Sequence, residues 1–361
     1  MIRVLCVTTK LCPGGVQTFL VSYARELIEY GIWLDFVVQT TETQLYDQEL
    51  LSMGCRIYSV CPYNKSKYQF LKEIYKILKN NKEYRIIHTH LNFINALPLF
   101  AAYLAKCPVR ISHSHSNYEP SGIKAKIARY FAKAIIKLFA TNFWACSQQS
   151  AIWIYEKLND VQIIKNGVNY DKYCFDLISR DNYRKNLGIS NSDFVWIHVG
   201  TYSEVKNQCF ILYLLKEYLS INSNVKLLLC GDGELRNKIN QTIDELGLQK
   251  YVIQLGSKNN VNDYLNAADL FVFPSHFEGL PFALIEAQTS GLPVVVSKAI
   301  SDEALFGNFF KCNTFDISEW VQNIQDAFLC DRYLDKEKFY NSGFSLKHEA
   351  EILSQLYKSL I

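Results

Sequence analysis

The sequence predicts an α/β protein built from two doubly wound, Rossmann-like domains. Short apolar runs of strand length alternate with helical patterns from residue 2 to 164, and again from 194 to 296. Between them, 169–192 is polar and carries no strand pattern, so it reads as a linker with a short helix. At 361 residues the chain also exceeds what one ordinary core holds.

The first half opens on 2–8 (Ile-Arg-Val-Leu-Cys-Val-Thr), a near-continuous apolar run suited to a strand buried on both faces. Leu11-Cys12-Pro13-Gly14-Gly15 follows. A helix over 16–30 then places Phe19, Leu20, Tyr23, Ala24 and Leu27 on one face. The dinucleotide fingerprint Gly-x-Gly-x-x-Gly is missing, so two readings of Gly14-Gly15 stand: a plain tight turn, or a turn that lets a ligand approach the backbone. Further strands are predicted at 34–38, 56–60, 85–88, 109–113, 142–146 and 161–164. Helices are predicted at 44–53, 67–80, 92–105, 123–139 and 148–157. Ligands in such sheets bind outside the carboxyl ends of the strands. Two histidine groups fall at such ends: His88-Thr89-His90, and His113-Ser114-His115-Ser116-Asn117. A structural and a functional reading are both open for them.

The stretch 123–144 alternates Lys124, Lys126, Arg129, Lys133 and Lys137 with Ile127, Phe131, Ile135, Leu138 and Phe139, and no acid intervenes. Such a helix has a solvated charged face in an ordinary protein; with acids missing, contact with an anionic membrane surface is the preferred expectation.

In the second half the predicted strands are 194–199, 226–230, 252–255, 270–273 and 293–296, with helices at 208–221, 234–246, 261–267 and 281–290. No element is predicted over 297–343, and 344–360 reads as an amphipathic helix. Two turns could receive phosphate. One is Gly200 to Asn207, which supplies Lys206; the other is Cys230-Gly231-Asp232-Gly233-Glu234-Leu235-Arg236. Lys206 reads equally as a plain surface lysine. After the strand ending at Phe273 comes a loop, then Pro281 at a helix start, with Gly291 and Pro293 as the stop. Glu278 in the loop and Glu286 in the helix flank a helix N-terminus, where unpaired N–H groups and the dipole favour an anion. Acid, anion site and acid on one element suit a nucleotide sugar; two surface glutamates at this spacing are the bland reading.

Composition narrows the classes. A hydrophobic fraction of 49% and a charged fraction of 20% describe a globular chain. The net charge of +3 gives no global field for nucleic acid, and none is expected as a partner. The 11 cysteines show no Cys-x-x-Cys pair and read as buried hydrophobes of a reducing compartment. No signal peptide or membrane span is expected, which gives a cytoplasmic protein.

With these pieces in place the chain resembles retaining glycosyltransferases of family 4, which have the GT-B fold, and among them enzymes of bacterial capsular and exopolysaccharide assembly. The likeness rests on Pro13-Gly14-Gly15-Val16, the strand ends at His90 and His115, Cys146-Ser147, Lys165-Asn166-Gly167-Val168 and Gly200 through Lys206-Asn207. It continues with Gly231-Asp232-Gly233-Glu234-Leu235, and with Glu278-Gly279-Leu280-Pro281 through Glu286, a Glu-x7-Glu signature framed by Pro274-Ser275 and Gly291-Leu292-Pro293. The resemblance implies two domains facing across a cleft: 1–168 with a returning helix at 340–361 on the acceptor side, and 169–339 binding the nucleotide sugar. It implies Glu286 on the ribose and Glu278 at the donor sugar and reacting centre. It also implies Lys206 on the diphosphate, with the amides of Gly14, Gly15, Gly279 and Leu280 helping, and His115 on the donor sugar, with His113 the weaker candidate. No cofactor is expected, and no metal, because no Asp-x-Asp motif stands at a strand end. Thr201 departs from the family, which usually has arginine there, so leaving-group stabilisation would rest more on Lys206 and backbone amides.

The expected activity is transfer of a hexose, with retention, from a nucleotide sugar (UDP preferred) to a lipid-linked saccharide acceptor, at the inner face of the cell membrane. Two alternatives remain at this point: a sugar-nucleotide epimerase of the same fold, and a catalytically silent partner of a glycosyltransferase.

Overall fold

Two wholly parallel sheets carry the chain in the computed structural model, which describes residues 1–12, 14–116, 122–156, 159–332 and 334–361. One unit comprises Met1–Gly167 and Leu346–Ile361, the other Val168–Ser345. Pro13, Lys157 and residues 117–121, among them Asn117, lie outside the described residues.

Among the described residues the first unit has seven strands: β1 (Ile2–Val7), β2 (Ile32–Val38), β3 (Ile57–Ser59), β4 (Ile86–Thr89), β5 (Val109–Ser114), β6 (Asn142–Ala145) and β7 (Val161–Ile163). Their order is β3-β2-β1-β4-β5-β6-β7. The chain winds outward from β1 and returns to β4 on its other side, with Val4 opposite Ile86. The order therefore reverses between β1 and β4. Valine, isoleucine and leucine fill these strands because both faces are covered by helices. On one face Phe70, Ile74 and Leu78 of the helix Lys67–Asn80 pack on Leu5, Val7 and Ile87. The returning helix Leu346–Ser359 packs against the helix Gly15–Leu27.

The second unit has β8 (Phe194–Val199), β9 (Val225–Cys230), β10 (Val252–Gly256), β11 (Leu270–Phe273), β12 (Val294–Ser297) and β13 (Phe309–Cys312). Their order, β10-β9-β8-β11-β12-β13, reverses between β8 and β11. The sequence pattern did not mark β13: it is an edge strand, Phe-Phe-Lys-Cys, in which only Cys312 is buried. The helices Ile317–Phe328 and Lys336–Asn341 were likewise unassigned.

Two expectations are corrected. Residues 169–192 hold the expected short helix but are not a linker, because that helix, Leu177–Asn186, docks against the helix Val261–Ala267 and the start of β11 through charge instead of an apolar stripe. Arg180 and Arg184 reach Asp269, at the entrance of β11, at 2.6 and 2.5 Å. Asp269 also accepts from the backbone N–H of Val195 at 2.8 Å, which locks β8 beside β11. The basic stretch 123–144 is helical only to Phe139, as periodicity predicts, since Ala140 is extended and Asn142–Ala145 joins the sheet as β6. Its lysines are not without acids: Glu156 pairs with Lys133 at 2.9 Å and Lys137 at 3.0 Å.

The second glycine turn has a packing reason. A Cβ on Gly233 would collide with the backbone of Tyr202, and one on Gly231, whose φ is +149°, with the carbonyl of Gly200. The two loops are sewn together by Tyr202 N–H to Asp232 C=O (3.0 Å) and Gly200 N–H to Cys230 C=O (3.0 Å). Gly233→Ala is therefore expected to destabilise the second unit by about 1–3 kcal/mol through overpacking. Gly15→Ala, where a Cβ meets open space, should change little. Urea unfolding of both variants checks this, and equal midpoints would overturn it.

Candidate functional site

In the second unit the loops leaving β8 and β11 part at the reversal of strand order, the place where α/β sheets accept ligands. The β8 loop delivers Lys206 and the β11 loop delivers Glu278; Lys206 Nζ lies 2.5 Å from Glu278 Oε1. Both side chains are largely buried, and the ammonium also stands 4.8 Å from the centroid of the Phe273 ring. The loops are joined by the N–H of His276 donating to the carbonyl of Val205 at 2.8 Å. Lys206 is no free surface lysine. Its ammonium carries three donors, one of which is spent on Glu278.

A polar relay beneath the loop was missed by sequence reasoning. His198 is fully buried in β8, and its Nδ1–H donates to the carbonyl of Val272 in β11 (2.9 Å). That fixes Nε2 as an acceptor, which takes an N–H of Gln208 at 3.2 Å. The same amide donates to the carbonyl of Thr201 (3.0 Å), and its oxygen accepts from the N–H of Ser203 (3.3 Å). Burial pushes the His198 pKa down to about 4, so the relay is neutral. The only clue in the sequence was one polar residue in the run Phe194–Val199. Thr201 itself is exposed, and its side chain makes no hydrogen bond among the described residues.

After β11, Pro281 is the cap of the helix Phe282–Thr289 rather than its first residue, and no side chain caps that end. Gly279 and Leu280 sit buried just ahead of it. Glu286 is 7% exposed and accepts a hydrogen bond from the Tyr173 hydroxyl at 2.7 Å. Desolvation raises its carboxyl pKa, which Tyr173 and then Lys172 partly offset. Its charge is felt by Cys230 at the end of β9.

In the first unit the reversal between β1 and β4 gathers Gly14, Gly15 and the histidines. The helix Gly15–Leu27 starts without a side-chain cap, and Gly15 is exposed. His90 Nδ1 and His115 Nε2 are 2.8 Å apart, and His88 Nε2 and His113 Nδ1 3.1 Å apart. His88 Nδ1 meets the hydroxyl of Tyr357, from the returning helix, at 2.6 Å. Phe19 lies against His113 and His115, with ring centroids 5.2 Å away in each case. Asn92, another residue sequence reasoning passed over, holds the loop by accepting from the N–H of His115 at 3.0 Å. Ring nitrogens of His90, His113 and His115 lie within 4.8 Å of one another, a donor set that the spacing of motifs did not reveal. Lys206, Glu278 and Glu286 thus belong to the second unit, and Gly14, Gly15, His113 and His115 to the first.

Two family models match this chain: the one described as Glycosyltransferase Family 4 over residues 13–172, and the one described as Glycosyl transferases group 1 over residues 179–335. The UDP-Gal:alpha-D-GlcNAc-diphosphoundecaprenol alpha-1,3-galactosyltransferase of Escherichia coli is 32% identical over 85% of this chain and 82% of its own length. The capsular polysaccharide biosynthesis glycosyltransferase CapH of Staphylococcus aureus is 25% identical over 99% of both chains. Among solved structures, HepE of Anabaena in complex with UDP and glucose superposes with a TM-score of 0.80 at 20% identity, covering 100% of this chain and 99% of that one.

The histidines make stability depend on pH. Burial holds His88, His90 and His113 well below the usual imidazole pKa, with mutual repulsion as a smaller cause, and His115 at about 3. In the unfolded chain they protonate near pH ~6.5, so below that value the unfolded state binds more protons. Their stabilisation is complete above pH ~6.5 and is lost as pH falls toward the folded values, by up to about 1.4 kcal/mol per buried group per pH unit. Hydrogen-exchange protection of the first unit should fall between pH 7 and 5.5, after correction for intrinsic exchange, and less so in His113→Asn. Protection independent of pH would count against neutral, buried rings.

Proposed function

The chain belongs to glycosyltransferase family 4, of the GT-B fold, and we propose that it moves a hexose from a UDP-sugar to a lipid-linked saccharide of surface polysaccharide assembly, with retention at the anomeric carbon. The observation that carries this is the Lys206–Glu278 pair, held at the strand-order reversal of the second unit beside an uncapped helix start. The donor and acceptor classes are supported by the 32% identical relative of Escherichia coli, a UDP-Gal enzyme acting on a diphosphoundecaprenol-linked sugar.

In this reading the bond between the anomeric carbon and the diphosphate oxygen breaks, and a bond to the acceptor oxygen forms on the same face. The acceptor proton passes to the departing diphosphate. Charge develops on that oxygen, and the two N–H groups of Lys206 not used by Glu278 stabilise it, with the helix start at Gly279-Leu280. Thr201 adds a hydroxyl but no charge. Glu278 aims the ammonium and faces the donor sugar, and Glu286 takes the ribose. The same reading gives roles to residues of the first unit: Gly14 and Gly15 amides for the diphosphate, His115 for the donor sugar. No metal is assigned a step.

The second partner is an anionic membrane surface. The helix Ile123–Phe139 leaves Ile123, Ile127, Tyr130, Phe131 and Leu138 exposed beside Lys124, Lys126 and Lys137, while burying only Lys133 and Ile136. Leu138 is 72% and Phe131 61% exposed, more than an outer helix facing only water usually carries. No helix among the described residues is long and apolar enough to cross a membrane, so a peripheral position at the inner face is proposed.

Purified protein with UDP-hexoses and an undecaprenyl-diphosphate sugar should give an α-linked product from an α-donor, read by NMR. A β-linked product would overturn retention. Lys206→Ala and Glu278→Ala are each expected to lower kcat by roughly 100- to 1,000-fold, and full activity in both would overturn their roles. In a sedimentation assay the protein should bind vesicles containing phosphatidylglycerol but not pure phosphatidylcholine, and Phe131→Glu with Leu138→Glu should abolish that. Binding that survives the double substitution would assign the membrane contact elsewhere.

A further inference from the structure

Glu286 is a charged group that the second unit leaves undersupplied. It is 7% exposed, yet one hydrogen bond to its carboxylate is found among the described residues, from the Tyr173 hydroxyl to Oε1. An ionised carboxylate offers about four lone-pair sites, and a buried one with a single neutral donor carries a desolvation cost. Two further donors set side by side would meet that need, which is what a vicinal diol presents.

Tyr173 is itself well fixed. It ends the short helix Tyr170–Tyr173, whose start is capped by Asn169 accepting from the N–H of Lys172 at 3.1 Å. The first residue of that turn, Tyr170, packs its ring 5.2 Å from that of Phe339. Lys172 stands 5.3 Å over the Tyr173 ring and adds positive potential near Glu286. A rigid turn therefore presents one hydroxyl to one carboxylate oxygen.

We propose that Tyr173 is a positioning residue for Glu286 and that the pair sets a preference for ribose over 2′-deoxyribose in the bound nucleotide. This rests on the reading of Glu286 as the ribose ligand and adds Tyr173 to it. The hydroxyl occupies one lone pair of Oε1 and fixes the plane of the carboxylate, so its remaining sites meet both hydroxyls of the ribose. Without that bond the carboxylate turns more freely and holds one hydroxyl about as well as two. Sites built to bind a substrate hydroxyl discriminate strongly against the analogue lacking it, because their own polar group is then left unpaired.

The test is titration calorimetry of the full chain with UDP and with 2′-deoxy-UDP. Wild type should bind UDP at least tenfold more tightly than the deoxy form. Tyr173→Phe, which removes one oxygen and keeps the ring, should weaken UDP about five- to tenfold and leave 2′-deoxy-UDP nearly unchanged, so the ratio shrinks. In turnover it should raise KM for the donor while kcat stays near wild type, a split that loosened packing would not produce. Glu286→Gln should collapse the ratio, and adding Tyr173→Phe to it should cost nothing further. A wild-type ratio in Glu286→Gln would overturn the reading of Glu286. A collapsed ratio there with an intact one in Tyr173→Phe would overturn only the proposal for Tyr173. Matching thermal midpoints show that the variants fold; if Tyr173→Phe does not, Asn169→Ala, which releases the turn from its cap, should shrink the ratio in the same direction, and an unchanged ratio there would count against the proposal.

Discussion

A parallel sheet wound outward from its middle has one place where successive loops diverge, and the candidate chemistry of each unit is gathered at that place. Between β8 and β11 the constraint is severe, because both loops must part and still present a cation and an anion to each other. Asp269 fixes the entrance of these strands, and His198 ties their far ends through the carbonyl of Val272. Lys206 and Glu278 depend on that frame. The β8 loop is held from below by Gln208 and from the side by the close approach of Gly231 and Gly233, so its backbone has little freedom left.

The two reversals are furnished differently. The second unit uses net charges, with Lys206 against Glu278 and Glu286 nearby in the chain. The first uses neutral rings: four histidines in contact, bonded in pairs and backed by Phe19. Four imidazolium ions in that volume would repel one another and lose their hydration, so burial selects the uncharged form. Neutral rings can donate and accept without a field of their own, while the charged pair answers a ligand that brings charge with it.

Most of the fold was legible because its strands are buried on both faces and its helices are amphipathic. Helices at 67–80, 123–139 and 261–267 and strands at 194–199 and 270–273 lie where periodicity put them. Legibility failed where that logic lapses. The helix Leu177–Asn186 attaches through Arg180 and Arg184, so its sequence looks like a polar linker. The edge strand β13 is half solvated and too short to alternate clearly. At the site, Lys206, Glu278, Glu286 and the histidine pairs could be named because charge and glycine turns mark them. Gln208, His198, Asn92 and Tyr173 could not. His198, Asn92 and Tyr173 act by touching a residue far away in sequence, Tyr173 being 113 positions from Glu286, and Gln208 acts through His198.

The spacing Glu-x7-Glu also gains a physical meaning from this geometry. Eight positions carry the chain from the end of a loop, across a capping proline, into the second turn of a helix. The first acid therefore rests on a loop and is held by a long-range ion pair. The second is fixed by helical backbone and stands in a dry setting where its partner is a neutral hydroxyl. An acid satisfied by a cation can lend that cation to an incoming diphosphate, provided the loop adjusts. An acid short of donors cannot lend anything; it can only be completed. The same residue type at the two ends of one signature thus has opposite needs before any ligand arrives, and the two proposed roles, aiming a charge and holding a sugar, draw on that difference.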